Sequence, residues 1–153
     1  MNRVLLIGGT GFIGKRVALA LKALNVAPRI FDLPQAIERT LLPDGCEVFA
    51  GDVTDPASLA RAMEGCAAIV HLVGIMTVDC AADPLRAVRI NVQGSVNVFE
   101  AARIAGVPVA YLSTSGAFGP DDASQPHPMT IYGVTKLAVE GIARVYAADN
   151  GVP

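Results

Sequence analysis

Seven residues near the N-terminus, Gly8-Gly9-Thr10-Gly11-Phe12-Ile13-Gly14, constrain this chain more than any other segment. They follow the apolar run Val4-Leu5-Leu6-Ile7. They precede a stretch in which apolar residues recur at Val17, Ala20, Leu21 and Leu24, one face of a helix. Strand, glycine loop and helix in immediate succession open a βαβ unit. Glycines let the loop turn tightly and bring backbone N–H groups close to a diphosphate, and the N-terminus of the following helix favours that anion. Gly8, Gly11, Phe12, Ile13 and Gly14 are therefore candidate cofactor-binding positions. A tight structural turn uses the same residues, so the pattern alone is weak. The discriminating feature is an acid about 20 residues further on, at the end of the second strand. Asp32 closes the run Arg29-Ile30-Phe31-Asp32. Its carboxylate can accept hydrogen bonds from ribose hydroxyls and would repel a 2′-phosphate, so NAD is expected rather than NADP. Arg29 is the nearby cation that would soften the preference.

Four more apolar runs follow the first: Arg29-Ile30-Phe31, Glu47-Val48-Phe49-Ala50, Ala68 through Val73, and Val107 through Leu112. Near-continuous apolar character fits strands covered on both faces. Between them lie helices with clear punctuation. Asp55 before Pro56 reads as an N-cap followed by a first helical residue, with Gly65 as the stop. Asp83 before Pro84 repeats the device, and Gly106 closes that helix. A last helix runs from Thr130 to Asp149. Strands alternating with helices, joined by right-handed crossovers, predict an α/β fold: a doubly wound parallel sheet of about five strands with helices on both faces. Gly119 to Met129, rich in Asp, Pro and Ser, reads as a loop. With 153 residues and no linker or repeat, residues 1–153 form a single domain long enough to bury about two-thirds of its surface.

Composition excludes several classes. A hydrophobic fraction of 52% rules out disorder, and a formal net charge of −2 gives no electrostatic reason to expect a nucleic-acid or anionic-membrane partner. No window is long and apolar enough to span a membrane. Cys46, Cys66 and Cys80 have neither an even count nor a metal-type spacing, so they read as reduced small hydrophobes of a cytoplasmic protein, with no metal site. His71 lies inside an apolar strand and reads as a core residue. His127 reads as a surface loop residue.

Further along, Gly51-Asp52-Val53 follows the third strand, where Asp52 serves equally as an adenine contact or a turn former. Tyr132 and Lys136 are four apart on the last helix and share a face. Such a pair is ordinarily solvated surface, but two further features sit near it in the pattern. Ser113-Thr114-Ser115 ends the fifth strand at the carboxyl edge, where ligands bind in such sheets. Asn91 lies early in the long helix after strand four.

Together these residues resemble the N-terminal part of the extended short-chain dehydrogenase/reductase family, the NAD-dependent epimerase/dehydratase group. Gly8, Gly11 and Gly14 fall in that family's glycine phase. Asp52-Val53 resembles its adenine-contacting pair, His71-Leu72-Val73-Gly74 its strand-four signature, and Asn91-Val92-Gln93-Gly94 its helix start. Ser113 through Gly119 resembles its strand-five motif, with Phe118 where tyrosine is usual. Tyr132-Gly133-Val134-Thr135-Lys136 matches its Tyr-x-x-x-Lys helix. The resemblance implies a Rossmann-type domain holding NAD through Gly8, Gly11, Phe12, Ile13, Gly14, Asp32, Asp52, Val53, Gly74, Asn91, Tyr132 and Lys136. It implies catalysis by Thr114, Tyr132 and Lys136. Tyr132 would exchange the substrate's hydroxyl proton, Thr114 would hydrogen-bond the same oxygen, and Lys136 would hold the nicotinamide ribose. Ser113 and Ser115 remain alternatives for the hydroxyl.

The expected substrate is a small molecule, a nucleotide sugar or related polyol. A homodimer through the helices at 84–105 and 130–149 is also implied. The resemblance implies further strands and a substrate domain after Gly151-Val152-Pro153; a fragment, a natural half-length binder and a partner chain that supplies the rest all stay open. The expectation is weak NAD binding with no useful turnover by this polypeptide alone. A non-catalytic dinucleotide-binding module, such as a redox sensor or scaffold subunit, is the alternative.

Overall fold

The computed structural model describes residues 2–118 and 124–153. Five parallel strands form one sheet in the order β3-β2-β1-β4-β5: β1 Arg3–Ile7, β2 Ala27–Asp32, β3 Glu47–Ala50, β4 Ala68–His71 and β5 Val109–Tyr111. β1 pairs with β2 and with β4, so the direction of winding reverses beside β1. The expected doubly wound sheet is therefore present, and its carboxyl edge carries every loop considered below.

Apolar runs covered on both faces explain the core. Leu5, Ile7, Phe31 and Ile69 pack on one face with Leu59 and Met63 of α3 (Pro56–Met63) and Val98 and Ala102 of α6 (Gly94–Ala105). Val4, Leu6 and Ile30 pack on the other face against Ala18 of α1 (Phe12–Ala23). Each such side chain stabilises the fold by roughly 1.5–3 kcal/mol relative to exposure. α7 (Ile131–Asp149) joins the α6 side: Tyr146 tilts against Phe99 at 5.4 Å, and its hydroxyl donates to Glu100 Oε1 at 2.5 Å.

The punctuation acts as the sequence indicates: Asp55 Oδ1 accepts from Ala57 N and Asp83 Oδ1 from Arg86 N, each capping its helix. Thr130 Oγ1, accepting from Gly133 N, adds a third cap that sequence reasoning missed. Gly106 ends α6 in the left-handed region, at φ 66°.

Several expectations are corrected. The segment 84–105 is not one regular helix: α5 (Pro84–Ala87) runs into a π-helical turn, Val88–Gln93, before α6 begins. β4 stops at His71 rather than Val73, and β5 covers only Val109–Tyr111. Two short helices, α2 (Pro34–Glu38) and α4 (Thr77–Ala82), occupy stretches with no helical signal. The loop read at 119–129 falls partly outside the described residues, Gly119 included. From residue 124 the chain runs to Thr130, with an isolated antiparallel bridge between Phe118 and Pro126. Val152 is buried in the core, and Val109 N donates to Pro153 O at 2.9 Å on the open side of β5.

Candidate functional site

Two adjoining hollows lie along the carboxyl edge. The first encloses about 280 Å³ and is lined by segments following β1 to β4, among them Gly8, Gly11, Asp32, Asp52, Val53 and Gly74. The second, about 590 Å³ and more open, is lined by Thr114, Ser115, Tyr132 and the Met76-Thr77 segment.

The glycine loop is shaped by contacts no side chain would permit. Gly8 sits at φ +86°, a conformation glycine adopts readily. A Cβ on Gly14 would lie 2.5 Å from Gly8 O and 2.6 Å from Gly9 Cα, so the first turn of α1 lies directly on the loop. Gly11 stands at the N-cap of α1, which has no side-chain cap and no acid in its first turn. Uncapped N–H groups with a favourable dipole suit an anion. Phe12 and Ile13 leave their side chains exposed at this turn, and neither lines the hollow.

Asp32 staples the loop. Its Oδ2 accepts from Thr10 N at 3.1 Å and from Thr10 Oγ1 at 2.6 Å, and its Oδ1 accepts from Leu33 N at 2.9 Å. Two carboxylate oxygens have acceptor capacity beyond these three bonds, and Asp32 lines the hollow. Arg29 does not soften its charge. Residues 29 and 32 face opposite sides of the strand, and Arg29 Nη1 donates to Ala62 O and Glu64 O while Nη2 pairs with Glu47 at 3.0 Å. Asp52 fills both roles considered for it: it accepts from Thr54 N and Oγ1, forming a turn, and it lines the hollow. Val53 lines the hollow as part of the core.

Lys136 lies between wall residues of the two hollows, Gly74 of the first and Tyr132 of the second. It is almost fully buried; its Nζ donates to Leu112 O at 3.0 Å, lies 4.7 Å above the Tyr111 ring and is 5.9 Å from the Tyr132 ring centre. Burial pushes its ammonium below the ordinary lysine range. A Cβ on Gly74 would come 3.5 Å from that nitrogen, so Lys136 lies against the wall of the first hollow. Tyr132, one turn earlier, lines the second. A Cβ on Gly133 would lie 2.1 Å from Gly116 O; this bare position lets α7 touch the 3₁₀ turn Ser115–Ala117 and brings Tyr132 beside Thr114.

The three hydroxyls separate. Ser113 Oγ donates to Glu140, outside both hollows. Thr114 and Ser115 share the second hollow with Tyr132, and Thr114 Oγ1 also accepts from Gly116 N at 3.1 Å. Phe118 lines the same hollow; His127 is exposed and does not.

Asn91 lies behind the first hollow rather than in its wall. It is 2% exposed, and its amide is spent on protein: Oδ1 accepts from Ile75 N at 2.8 Å, and Nδ2 donates to Ile75 O and Thr135 Oγ1, each at 3.1 Å. It sits in the π-helical turn, a feature concentrated at functional sites. Sequence reasoning missed Ile75, Thr10 and Arg86, which also line the first hollow. Thr10 had a detectable signal, a hydroxyl inside the glycine loop facing an acid at the end of β2.

Among the described residues no group of His, Cys, Asp and Glu is placed to hold a metal, and no helix is long and apolar enough to cross a membrane. Cys46, Cys66 and Cys80 are free thiols, each pushed above its ordinary pKa by burial.

Comparison with known proteins agrees with this geometry. The chain is 28% identical to an NAD-dependent glucose-6-phosphate dehydrogenase of Haloferax volcanii, over 94% of its own length and 62% of the relative. It is 31% identical to a dTDP-glucose 4,6-dehydratase of Mycolicibacterium smegmatis, over 98% of its length and 50% of the relative. Its fold matches a UDP-glucose 4-epimerase from Brucella ovis, solved in complex with NAD, at a TM-score of 0.88 and 27% identity, over 99% of this chain and 50% of that one. The chain spans about half the length of the curated relatives it matches. The model of one family covers residues 4–153, and on that match the chain belongs to the NAD dependent epimerase/dehydratase family.

Proposed function

We propose that this chain is the NAD-binding and proton-transferring part of an oxidoreductase or epimerase acting on a sugar nucleotide or related polyol. The observation that carries the reading is the position of Lys136 between Gly74, in the wall of the first hollow, and Tyr132, in the wall of the second. A dinucleotide held in the first would extend toward Gly74 and the lysine behind it, and a substrate hydroxyl in the second would lie with Tyr132 and Thr114.

The dinucleotide fits the chain's own groups. The backbone N–H groups of Gly11, Phe12 and Ile13 would hold the pyrophosphate, Asp32 the adenosine ribose, and Asp52 with Val53 the adenine. Asp32 opposes a 2′-phosphate, and Arg29 is held elsewhere, so NAD is favoured over NADP. When bound, the nicotinamide supplies the hydride acceptor and donor. The Tyr132 phenol exchanges a proton with the substrate hydroxyl, as positioned acids and bases do. Thr114 Oγ1 hydrogen-bonds the same oxygen and fixes its direction. Lys136, buried beside both, holds positive charge where negative charge develops.

The proposed assembly is a homodimer through the outer surfaces of the 84–105 and 130–149 segments. These expose Leu85 at 84%, Val88 at 50% and Val134 at 50%, an apolar surface of the kind that marks interaction sites. The proposed location is the cytoplasm, consistent with three free thiols.

The test is calorimetric titration of the protein with NAD and NADP, followed by incubation with NAD and a panel of nucleotide sugars while NADH absorbance and epimerised product are monitored. Tighter binding of NAD than NADP is expected; equal affinities overturn the cofactor reading. Sedimentation showing only monomer at tens of micromolar overturns the dimer.

A further inference from the structure

His71 has no part in the mechanism above, yet it begins a series of hydrogen bonds that passes through the body of Asn91 and ends at the backbone carbonyl of the proposed acid–base residue. The ring is fully buried, and its Nε2 lies 2.9 Å from Ser95 Oγ. Ser95 Oγ lies 2.6 Å from Asn91 O. A carbonyl only accepts, so the serine's single proton goes to Asn91 O and its oxygen must accept from His71. The proton of the neutral ring is therefore on Nε2. That leaves Nδ1 as a bare acceptor, and it is buried without a hydrogen-bond partner.

An unpartnered buried acceptor costs stability, and a leucine of similar volume would remove it. What the histidine supplies in return is the Nε2–H that holds Ser95. Ser95 then anchors the Asn91 backbone by the i−4 contact through which serine bends helices, inside the π-helical turn. From that anchored backbone the Asn91 side chain reaches two ways. It brackets Ile75, a wall of the first hollow, through both N and O. It also donates to Thr135 Oγ1, which passes its own proton to Tyr132 O at 2.8 Å.

We propose that His71 and Ser95 are positioning residues that lock the Asn91 turn and thereby hold the Ile75 wall of the dinucleotide hollow in fixed register with the Tyr132 turn of α7. The lock requires a neutral imidazole in one tautomer. Burial, together with the nearby Lys136 charge, keeps the ring neutral down to a pKa of about 3. The consequence for cofactor affinity rests on the function proposed above; the lock itself does not.

Three measurements test it. Imidazole nitrogen–proton correlation spectra of the ligand-free protein should show His71 protonated at Nε2; a proton on Nδ1 overturns the proposal. Amide exchange of Ile75 is the second readout. His71→Leu and Ser95→Ala should each raise it about tenfold or more, the scale of losing one buried hydrogen bond. His71→Gln should restore slow exchange, because the glutamine amide nitrogen can donate to Ser95 Oγ as Nε2 does.

A merely structural histidine predicts the reverse ordering: His71→Leu, free of the orphaned acceptor, would protect Ile75 as well as the parent. Unchanged exchange in variants that fold, or no rescue by glutamine, overturns the lock. Where His71→Leu does not fold, Ser95→Ala carries the same expectation from the other end of the bond; should neither fold, the tautomer decides. NAD affinity, measured last on the folded variants, should fall with rising exchange. A protein with the expected tautomer and exchange pattern that binds no NAD refutes the cofactor reading and leaves the lock standing.

Discussion

Lys136 Nζ donates to the carbonyl oxygen of Leu112 at 3.0 Å, joining the middle of one helix to the residue just after β5. Lys136→Met keeps most of the stem and removes the donor. The part-buried carbonyl then loses its partner, and the expected cost is about 1–2 kcal/mol by urea denaturation. Burial lowers the lysine's folded-state pKa, so between that value and the ordinary 10.5 the unfolded chain holds the extra proton. This residue's contribution to stability therefore improves as pH rises toward 10.5, and the methionine variant should lack that alkaline gain. Identical unfolding midpoints for the two proteins across pH would refute both expectations.

His71 makes the fold sensitive to acid. Its folded-state pKa is pushed down to about 3 from an ordinary 6.5, chiefly by burial. Between those values the unfolded chain binds a proton that the folded one refuses, so stability falls as pH drops through 6.5, and the loss is complete below about 3. The full effect is on the order of 4–5 kcal/mol. His71→Leu should flatten this part of the stability–pH curve, leaving only the carboxylate contribution at lower pH. An unchanged slope in the variant would show that other groups carry the acid sensitivity.

Gly133→Ala places a methyl 2.1 Å from Gly116 O, which is backbone and can move only with its turn. Overpacking of this kind costs about 1–3 kcal/mol. The same displacement separates Tyr132 from Thr114, so a crystal structure of the variant should show the second hollow widened. A variant with parental melting temperature and unmoved Tyr132 contradicts this account.

Asp32→Ala removes the proposed ribose acceptor and the staple on Thr10 together. NAD binding should weaken by roughly 1–3 kcal/mol, the scale of a lost charged hydrogen bond. Thr10→Val, which removes only the hydroxyl's share of the staple, should weaken it less. Equal losses would assign the whole effect to loop rigidity.

Tyr132→Phe should lower turnover of the true substrate by about 10²–10⁴-fold, as loss of a positioned acid or base does, with NAD affinity retained. The complete enzyme is the right setting for this measurement. Near-full kcat would place the proton on another group.

The helix caps Asp55 and Asp83 and the glycine loop were legible because each acts over a few residues, where the sequence itself holds both partners. The π-helical turn was not, because it is associated with Asn91 bracketing Ile75, sixteen residues away. β4 stops at His71 because its partner β1 ends opposite it at Ile7, where the glycine loop begins. α4 is too short to show a period, and its Cys80 thiol points back to Ile75 O. Which of three consecutive hydroxyls shares the hollow with Tyr132 depended on where β5 ends; Ser113 turns away to Glu140, while Thr114 and Ser115 stay with Tyr132. Arg29 looked close to Asp32 along the chain, but strand alternation sends the two to opposite faces.

Asp32 both lines the hollow proposed for the cofactor and fastens the loop beside it, so on the proposed reading selectivity and shape share one carboxylate. An engineer seeking a phosphorylated dinucleotide would begin at position 32 and thereby unfasten the Thr10 clasp. The cation needed to greet the new phosphate cannot be borrowed from Arg29, already committed to Ala62, Glu64 and Glu47. Conversion therefore calls for at least two simultaneous changes, a replacement clasp and an imported positive charge, and no single substitution is a useful stepping stone between them.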